Sequence, residues 1–503
     1  MDRQGSTPSQ LSSFNPRPFP DLVGRVAGLL DSQGIDGYLV GGTVRDALLG
    51  RETEDVDIAI AGNVERTGRA LADELGGRFV RLHEEWDIAR VVIPSSEGPA
   101  YVDLNSAAQG IARDLARRDF TVDAMAIPLA GVVADSPWRG LLDPYDGLSD
   151  LREGVVRPLG PGVFEDDPAR LLRAVRITAQ LKFRLSEDAI AGIRSDAHLV
   201  AQVAPERVKD EFLKTIACPG APESIRMLDG LGLLCKIIPE LEEAKEVTQP
   251  KEHFWDVFNH MVETTGKIEE VFAVSDGEPG IADLVPRYEG LDEHFRERVS
   301  DGHTRLTLLK VVALLHDVAK PATKTIESTG RVRFLKHHSV GAEVVETILK
   351  RLRFSGRGVS LARLMVHNHL RPTQMAQKGE MPSGKAIYRY YRDVGDAAID
   401  VLYLNMADYL AARGPNLGEE EWRDHTDLIG YILREGVLQK TPETLPKLVD
   451  GNDIMDRFAL APGRLVGELL NLVHEAQANQ DIMNKEEAYE LVRTNLESGG
   501  SGA

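Results

Sequence analysis

The stretch YLVGGTVRDALLGRETEDVDIAI, residues 38 to 60, carries the strongest structural signal in the N-terminal part of the chain. Gly41 and Gly42 end a β-rich run, the segment TVRDALLG has a helical pattern, and a second β-rich run carries Asp55 and Asp57. Because side chains alternate along a strand, both aspartates leave the same face. Two carboxylates this close repel each other unless a cation lies between them, and Mg²⁺ prefers oxygen ligands. The stretch therefore predicts Mg²⁺ beside a glycine turn that faces a triphosphate from a helix N-terminus.

Bulk composition limits the class of protein. The chain has 503 residues, with 59 Lys and Arg against 79 Asp and Glu, so its formal charge of −20 argues against a generally basic nucleic-acid coat. Only two cysteines occur, Cys218 and Cys235, which excludes a disulfide framework and favours a reducing cytoplasm. The sequence shows neither a membrane-spanning apolar run nor a signal-peptide core, so we expect no membrane association.

Patterns along the chain predict an α+β fold: a small head domain with a mixed sheet, followed by an all-α body. We expect a flexible arm over 1–20 and the head, or palm, over 21–150. A helical neck that selects nucleotides and binds RNA is expected over 151–250, and a second helical domain over 251–435. The polar segment 273–305 is predicted to be an insert in that second domain, and 436–503 a helical C-terminal region with a flexible tail.

Further motifs follow the first stretch in order. They are DLARRDFTVDAMAI at 114–127, LLDPYDGLSDL at 141–151, FEDDPARLLRAVRITAQLKF at 164–183 and PERVKDEFLKTI at 205–216. Together with GGTVRDALLG and EDVDIAI, they resemble class II tRNA nucleotidyltransferases, the CCA-adding enzymes, and the related bacterial poly(A) polymerases. The resemblance implies a nucleotidyltransferase that needs no nucleic-acid template.

The resemblance also implies roles for individual residues. Asp55 and Asp57 would ligate Mg²⁺, and Asp103 sits where a third catalytic carboxylate is expected. Arg118 and Asp119 would contact phosphate and ribose, and Asp167 with Arg170 would read the base edge. A carboxylate and a guanidinium three residues apart on a helix can offer acceptors and donors to a base. The remaining nucleotide-binding candidates are Gly41, Gly42, Arg45 and Arg173.

Two departures from the family pattern stand out. Position 123 is Asp where the family usually has Asn. Only a short segment separates Asp103 from Asp114, whereas CCA-adding enzymes generally carry a longer flexible loop there, linked in the family to the switch from adding C to adding A. The short segment leaves open whether the chain adds CCA or only part of it.

The helical half contains a second group of polar residues. An adjacent His316-Asp317 pair inside an apolar helix is costly to bury unless it is paired or bound to metal. Further histidines and aspartates recur at intervals and supply ligands for a metal site of mixed nitrogen and oxygen type. This order resembles the HD superfamily of metal-dependent phosphohydrolases over 251–413, with Mn, Ni, Co or Fe as candidate ions. The predicted ligands are His260, His316, Asp317, His337, His367 and Asp408.

The favoured interpretation is CCA addition, in which CMP and AMP pass from CTP and ATP to the 3′ end of tRNA by two-metal chemistry. The alternatives are a poly(A) polymerase and a partial, A-adding or CC-adding, tRNA nucleotidyltransferase. A phosphohydrolase of the HD type with a degenerate head is a third, and a non-catalytic RNA-binding protein is disfavoured by the intact acids in both sites. Additional phosphohydrolase activity and the oligomeric state stay open.

Overall fold

The computed structural model describes residues 14, 16, 19–52, 55–83, 87–94, 99–132, 137–273, 280–299, 302–376, 380–438, 447–478 and 481–499. Most of the predicted N-terminal arm and the end of the predicted C-terminal tail lie outside these residues. The chain divides into two compact units: Met1–Val203 with Leu231–Leu233, and Ala204–Gly230 with Leu234–Ala503. The predicted domain boundaries at 150 and 250 stay predictions.

A six-stranded mixed sheet forms the centre of the first unit, with strand order β3-β4-β5-β2-β1-β6. Strands β2 and β5 run parallel, and the other neighbouring pairs are antiparallel. This confirms the predicted mixed-sheet head. The strands are β1 (Gly37–Val40), β2 (Asp55–Ile60), β3 (Arg78–His83), β4 (Ile88–Ile93), β5 (Ala100–Ser106) and β6 (Ala126–Pro128).

Helices pack against the sheet and continue along the chain beyond it. They are α1 (Asp21–Ser32), α2 (Gly42–Leu48), α3 (Val64–Leu75), α4 (Ile111–Ala116), α5 (Leu129–Val132), α6 (Gly147–Glu153), α7 (Val163–Asp166), α8 (Arg170–Leu181) and α9 (Glu187–Asp196). A short parallel pair, β7 (Val155–Val156) with β8 (Arg184–Leu185), lies next to α8. Helix α3 shows why these elements form where they do. Asn63 caps its first turn through Arg66 N–H, and Gly76 ends it at φ +67°.

The second unit is almost entirely helical. Its helices are α10 (Pro205–Ala217), α11 (Ala221–Gly230), α12 (Leu234–Ile237), α13 (Val257–Phe272), α14 (Leu291–Arg296), α15 (Arg305–Leu315), α16 (His337–Arg351), α17 (Gly356–Asn368), α18 (Arg371–Met375), α19 (Gly384–Val394), α20 (Ala398–Arg413), α21 (Glu419–Leu438), α22 (Gly451–Phe458), α23 (Arg464–Ala478) and α24 (Lys485–Gly499). A hairpin joins β9 (Lys324–Ile326) to β10 (Val332–Phe334). In the described part of the chain, no helix is both long and apolar enough to cross a membrane.

The described part of the predicted insert 273–305 packs into the second unit. Leu291 and Phe295 on α14 are buried, and Tyr403 donates a hydrogen bond to the Pro286 carbonyl at 2.5 Å. Arg305, at the start of α15, is buried against the equally buried Asp400 at 3.0 Å. The segment therefore contributes core residues to this unit, although its composition is polar.

Candidate active site and metal centre

The glycine turn lies directly against the first aspartate pair. Gly41 has φ +65°, and a Cβ on it would collide with Arg118 Nη1 and lie 3.3 Å from Asp57 Oδ2. Thr43 fixes the turn to strand β2, because its hydroxyl donates to the Asp55 carbonyl at 3.2 Å and accepts from Asp57 N–H at 2.8 Å. Only glycine fits at position 41, and without a side chain there the backbone of the turn lies directly beside Asp57.

The three predicted catalytic carboxylates lie on neighbouring strands. Asp57 on β2 faces Asp103 on β5 in the parallel register, and Asp55 faces Tyr101. Arg90 on β4 donates to both oxygens of Asp103, at 2.7 Å each. Burial, and secondarily Asp103, raises the pKa of Asp57 to about 6, although Arg118 lowers it. Because burial outweighs Arg118 at Asp57, this carboxylate fits a divalent cation, which Asp55 and Asp57 would hold.

Arginines surround the glycine turn and share one buried acid. Asp123 is 1% exposed; its Oδ1 accepts from Arg45 Nη1 at 2.6 Å, and its Oδ2 lies 3.5 Å from Arg173 Nη2. Arg118 donates to the Asp123 carbonyl oxygen at 3.4 Å and pairs with Asp114 at 3.0 Å. Burial raises the pKa of Asp123, but the arginines outweigh it and hold that pKa below its ordinary value. Asp123, the residue at which this chain departs from the family pattern, therefore offsets the positive charge of these arginines.

The predicted base-reading residues are arranged differently from the expectation. Asp167 has extended backbone, at φ −148° and ψ 99°, and helix α8 begins only at Arg170. The two therefore do not share a helix face, because Pro168 disfavours helical backbone at the residue before it. Arg170 donates to the carbonyls of Val163 at 3.2 Å and Arg117 at 2.8 Å. Asp119 pairs with Arg173 at 2.7 Å.

In the second unit, six side chains meet in one buried cluster, of which five were predicted. His260 Nε2 lies 2.9 Å from Asp408 Oδ1 and 3.3 Å from His316 Nε2. Asp317 bridges the two halves: Oδ2 is 3.2 Å from His316 Nε2, and Oδ1 is 3.3 Å from His337 Nε2. Histidines and carboxylates with ligand atoms within 4.8 Å of one another can hold metal ions. The cluster consists of His260, His316, Asp317, His337, His369 and Asp408.

His369, and not the predicted His367, completes the cluster. His369 Nε2 is 3.4 Å from His337 Nε2, whereas the His367 ring is exposed and lies 5.6 Å from the His338 ring. Residues two apart on a helix point to different sides, so the prediction of His367 as a ligand was wrong. The helical period contained the signal, because His369 continues the apolar stripe of Val359, Ala362 and Val366.

Backbone carbonyls orient three of the histidines. The Nδ1 atoms of His316, His337 and His369 lie 2.9, 2.7 and 2.7 Å from the carbonyl oxygens three residues earlier, which leaves each Nε2 free to face the cluster. Burial lowers the pKa of His369 to about 3, so it stays neutral, as a metal ligand must be. Asp317 Oδ1 is buried and accepts no hydrogen bond among the described residues, which fits a metal ligand.

A cavity of about 470 Å³ opens onto this cluster. Asp317, His337, His369 and Asp408 lie in its wall together with Arg331 and Arg333 of the β9–β10 hairpin. Lys320 also lines it and pairs with Asp317 at 2.5 Å. A metal-ligand set beside cationic side chains suits an anionic, phosphate-bearing ligand.

Comparison with known proteins agrees with this geometry. Residues 37–157 match the poly A polymerase head domain, 182–245 the probable RNA and SrmB-binding site of polymerase A, and 257–413 the HD domain. The A-adding tRNA nucleotidyltransferase of Deinococcus radiodurans is 32% identical over 462 residues, covering 90% of this chain and 94% of that protein. The CC-adding tRNA nucleotidyltransferase of Geobacter sulfurreducens is 28% identical, covering 95% and 96%.

Solved structures share the fold. A Thermotoga maritima CCA-adding enzyme complexed with tRNA matches with TM-score 0.58 at 20% identity, covering 97% of this chain and 98% of that one. A CCA-adding enzyme in complex with ATP matches with TM-score 0.61 at 21% identity, covering 95% of each chain. The chain is therefore a nucleotidyltransferase. It belongs to the tRNA nucleotidyltransferase family, in the arrangement with a poly A polymerase head and an HD domain, which confirms the resemblance seen in the motifs.

Proposed function

We propose that the chain transfers nucleotides from CTP or ATP to the 3′ end of tRNA in the cytoplasm, with no nucleic-acid template. The observation that carries this proposal is the facing pair Asp57 and Asp103 beside the Gly41 turn. The terminal hydroxyl of the RNA attacks the α-phosphorus, a new P–O bond forms, and the bond to the leaving pyrophosphate breaks. A divalent cation held by Asp55 and Asp57 would supply activation of that hydroxyl and stabilisation of the developing charge.

The chain's own residues position the reactants. Gly41 and Gly42 let the backbone approach the triphosphate closely, and Arg118, next to Gly41, offsets its negative charge. Arg90 orients the carboxylate of Asp103, which lies beside Asp57 on the neighbouring strand. Asp167 and Arg170 would select the base, with Arg170 held in place by its two carbonyl partners. Each guanidinium has five N–H donors, so donors remain for a base edge.

We propose further that the chain adds one kind of nucleotide and not the full CCA. Strand β5 ends at Ser106 and helix α4 begins at Ile111, so residues 107–110 alone connect them. The longer loop that the family links to the change from C to A has no counterpart in so short a connection. Full-length relatives named A-adding or CC-adding also favour this proposal.

Three tRNA transcripts test both points: one ending before the first C, one after C and one after CC. Each is incubated with Mg²⁺ and CTP, ATP or both, and the products are sized on a sequencing gel. A CC-adding enzyme extends the first two transcripts with CTP alone, and an A-adding enzyme extends only the third, with ATP. Full CCA on the first transcript would overturn the restriction to one nucleotide. Long A tails would favour a poly(A) polymerase, which the acidic composition disfavours.

A second activity, metal-dependent hydrolysis of a phosphate ester, is favoured by the histidine–aspartate cluster and its cation-lined cavity. The test is release of phosphate or alcohol from a panel of phosphomonoesters and diesters with added Mn²⁺, Ni²⁺ or Co²⁺. We expect hydrolysis that His369→Ala removes while tRNA extension continues. Equal hydrolysis by the wild type and this variant would contradict the proposal.

A further inference from the structure

The sheet face that carries Asp57 and Asp103 continues past the carboxylates to the edge of the head. Val80 on β3 pairs with Arg90 on β4, Arg90 with Asp103 on β5, and Asp103 with Asp57 on β2. Residues paired across a sheet lie on one face, so these four side chains form a single row. At about 4.8 Å per strand, the row spans about 14 Å from Asp57 to Val80.

The two faces of this half of the sheet differ in burial. Val91, Val102 and Leu104 are buried, and Gly68 on helix α3 packs close to Leu104 and Phe79, which places α3 on their side. On the other face, Arg90, Val92 and Tyr101 are half-buried, and Val80 at the edge is 38% exposed. An exposed apolar side chain in line with a catalytic pair is a candidate contact for a ligand.

The chemistry of this face suits an unpaired nucleic-acid end. The Arg90 guanidinium lies over the Tyr101 ring, with 4.7 Å between its carbon and the ring centroid, while it also holds Asp103. Guanidinium planes and aromatic rings stack with bases of any sequence, and apolar side chains pack against their edges.

The geometry of phosphoryl transfer indicates from which side of the carboxylates the RNA approaches. The proposed function puts the triphosphate at the Gly41 turn, which follows β1, and β1 borders β2 on the side opposite β5. In phosphoryl transfer the attacking and leaving oxygens are roughly in line, so the attacking hydroxyl approaches from the side away from the pyrophosphate. That side is the row running from Asp103 through Arg90 to Val80.

We infer that this face, defined by Val80, Arg90, Val92 and Tyr101, binds the single-stranded 3′ end of the acceptor RNA. The inference rests on the proposed nucleotide transfer and extends it by assigning the surface that receives the RNA. A length of about 14 Å holds a few nucleotides at about 3.4 Å per stacked base. The terminal hydroxyl lies at Asp103, and the preceding nucleotides extend over Arg90 towards Val80.

Charge placed at the far end of the row tests the inference, because Val80 lies well away from the carboxylates. Full-chain Val80→Glu and Val80→Lys are compared for binding, by fluorescence anisotropy, to a tRNA ending in CC and to the same tRNA trimmed to its last base pair. The glutamate should weaken binding of the longer RNA about fivefold by repelling its phosphates, and the lysine should not weaken it. Neither substitution should affect the trimmed RNA.

Arg66→Glu is the matched control, because Arg66 is exposed on helix α3, which packs on the opposite face of the sheet. It introduces a larger charge change but should not distinguish the two RNAs. Equal binding of the longer RNA by both Val80 variants would overturn the inference, as would an equal loss on the trimmed RNA. Because binding is measured directly, a wild type that binds in this pattern but transfers no nucleotide would refute the proposed function and leave the surface standing.

Discussion

The head site and the histidine–aspartate cluster assemble their charged groups in opposite ways. In the head, Asp57 and Asp103 sit on adjacent strands, and Arg90 and Arg118 from the same unit surround them. In the second unit, six ligands come from five helices or their ends, and most of their partners are one another. The head site combines carboxylates with arginines, whereas the cluster brings together enough nitrogen and oxygen ligand atoms to hold a cation.

The contrast explains why one site was easier to place from sequence than the other. A strand period of two puts Asp55 and Asp57 on one face whatever the rest of the chain does. The cluster depends on how helices separated by up to 148 residues, from His260 to Asp408, pack against one another. A small error in the assumed rotation of a helix then selects the wrong histidine as a ligand, as with His367 in place of His369.

The largest expected effect separates the two sites by their chemistry. Asp57→Asn should lower tRNA extension about a thousandfold, because the amide removes a carboxylate needed to hold the cation. The metal content of the second unit, measured by elemental analysis of the purified protein, should not change. Extension within tenfold of the wild type would contradict the role given to Asp57.

A buried arginine in each unit gives a second contrast. Arg45 pairs with Asp46 and Asp123 in the head, and Arg305 pairs with Asp400, Glu297 and Asp396 in the second unit. Asp123→Ala and Asp400→Ala should each lower the unfolding free energy of their own unit by about 3–5 kcal/mol, because each removes a buried carboxylate among the arginine's partners.

Only Asp123→Ala should also raise the KM for nucleotide, because it removes the carboxylate that pairs with Arg45, next to Gly42, and with Arg173. Urea unfolding and steady-state kinetics measure the two effects. If Asp400→Ala raised the nucleotide KM equally, the head would not be the separate site described above.

The smallest expected effect concerns the two neighbouring histidines. His369→Ala should weaken metal binding about 100-fold, because it removes a ligand and not merely a group behind one. His367→Ala, on the exposed side of the same helix, should bind metal like the wild type. Metal titration followed by calorimetry compares them, and a loss in the His367 variant would restore the original ligand prediction.

The fold class and the family followed from ordered local motifs, and both are confirmed. The segment 273–305 was predicted to be an insert because its composition is polar, and its residues Leu291 and Phe295 are buried. The helix-face argument for Asp167 and Arg170 failed at Pro168, which delays the start of helix α8. Composition and spacing describe a segment, whereas its burial and the start of a helix depend on its neighbours.

The sequence by itself determined the glycine turn and the strand that carries Asp55 and Asp57, because periodicity and backbone sterics act over a few residues. It also identified five of the six residues in the cluster. The folded molecule adds the Arg90 clamp on Asp103, the arginines gathered around Asp123 and the replacement of His367 by His369. Each of these joins residues far apart in the chain, and such contacts exist only after strands and helices have packed.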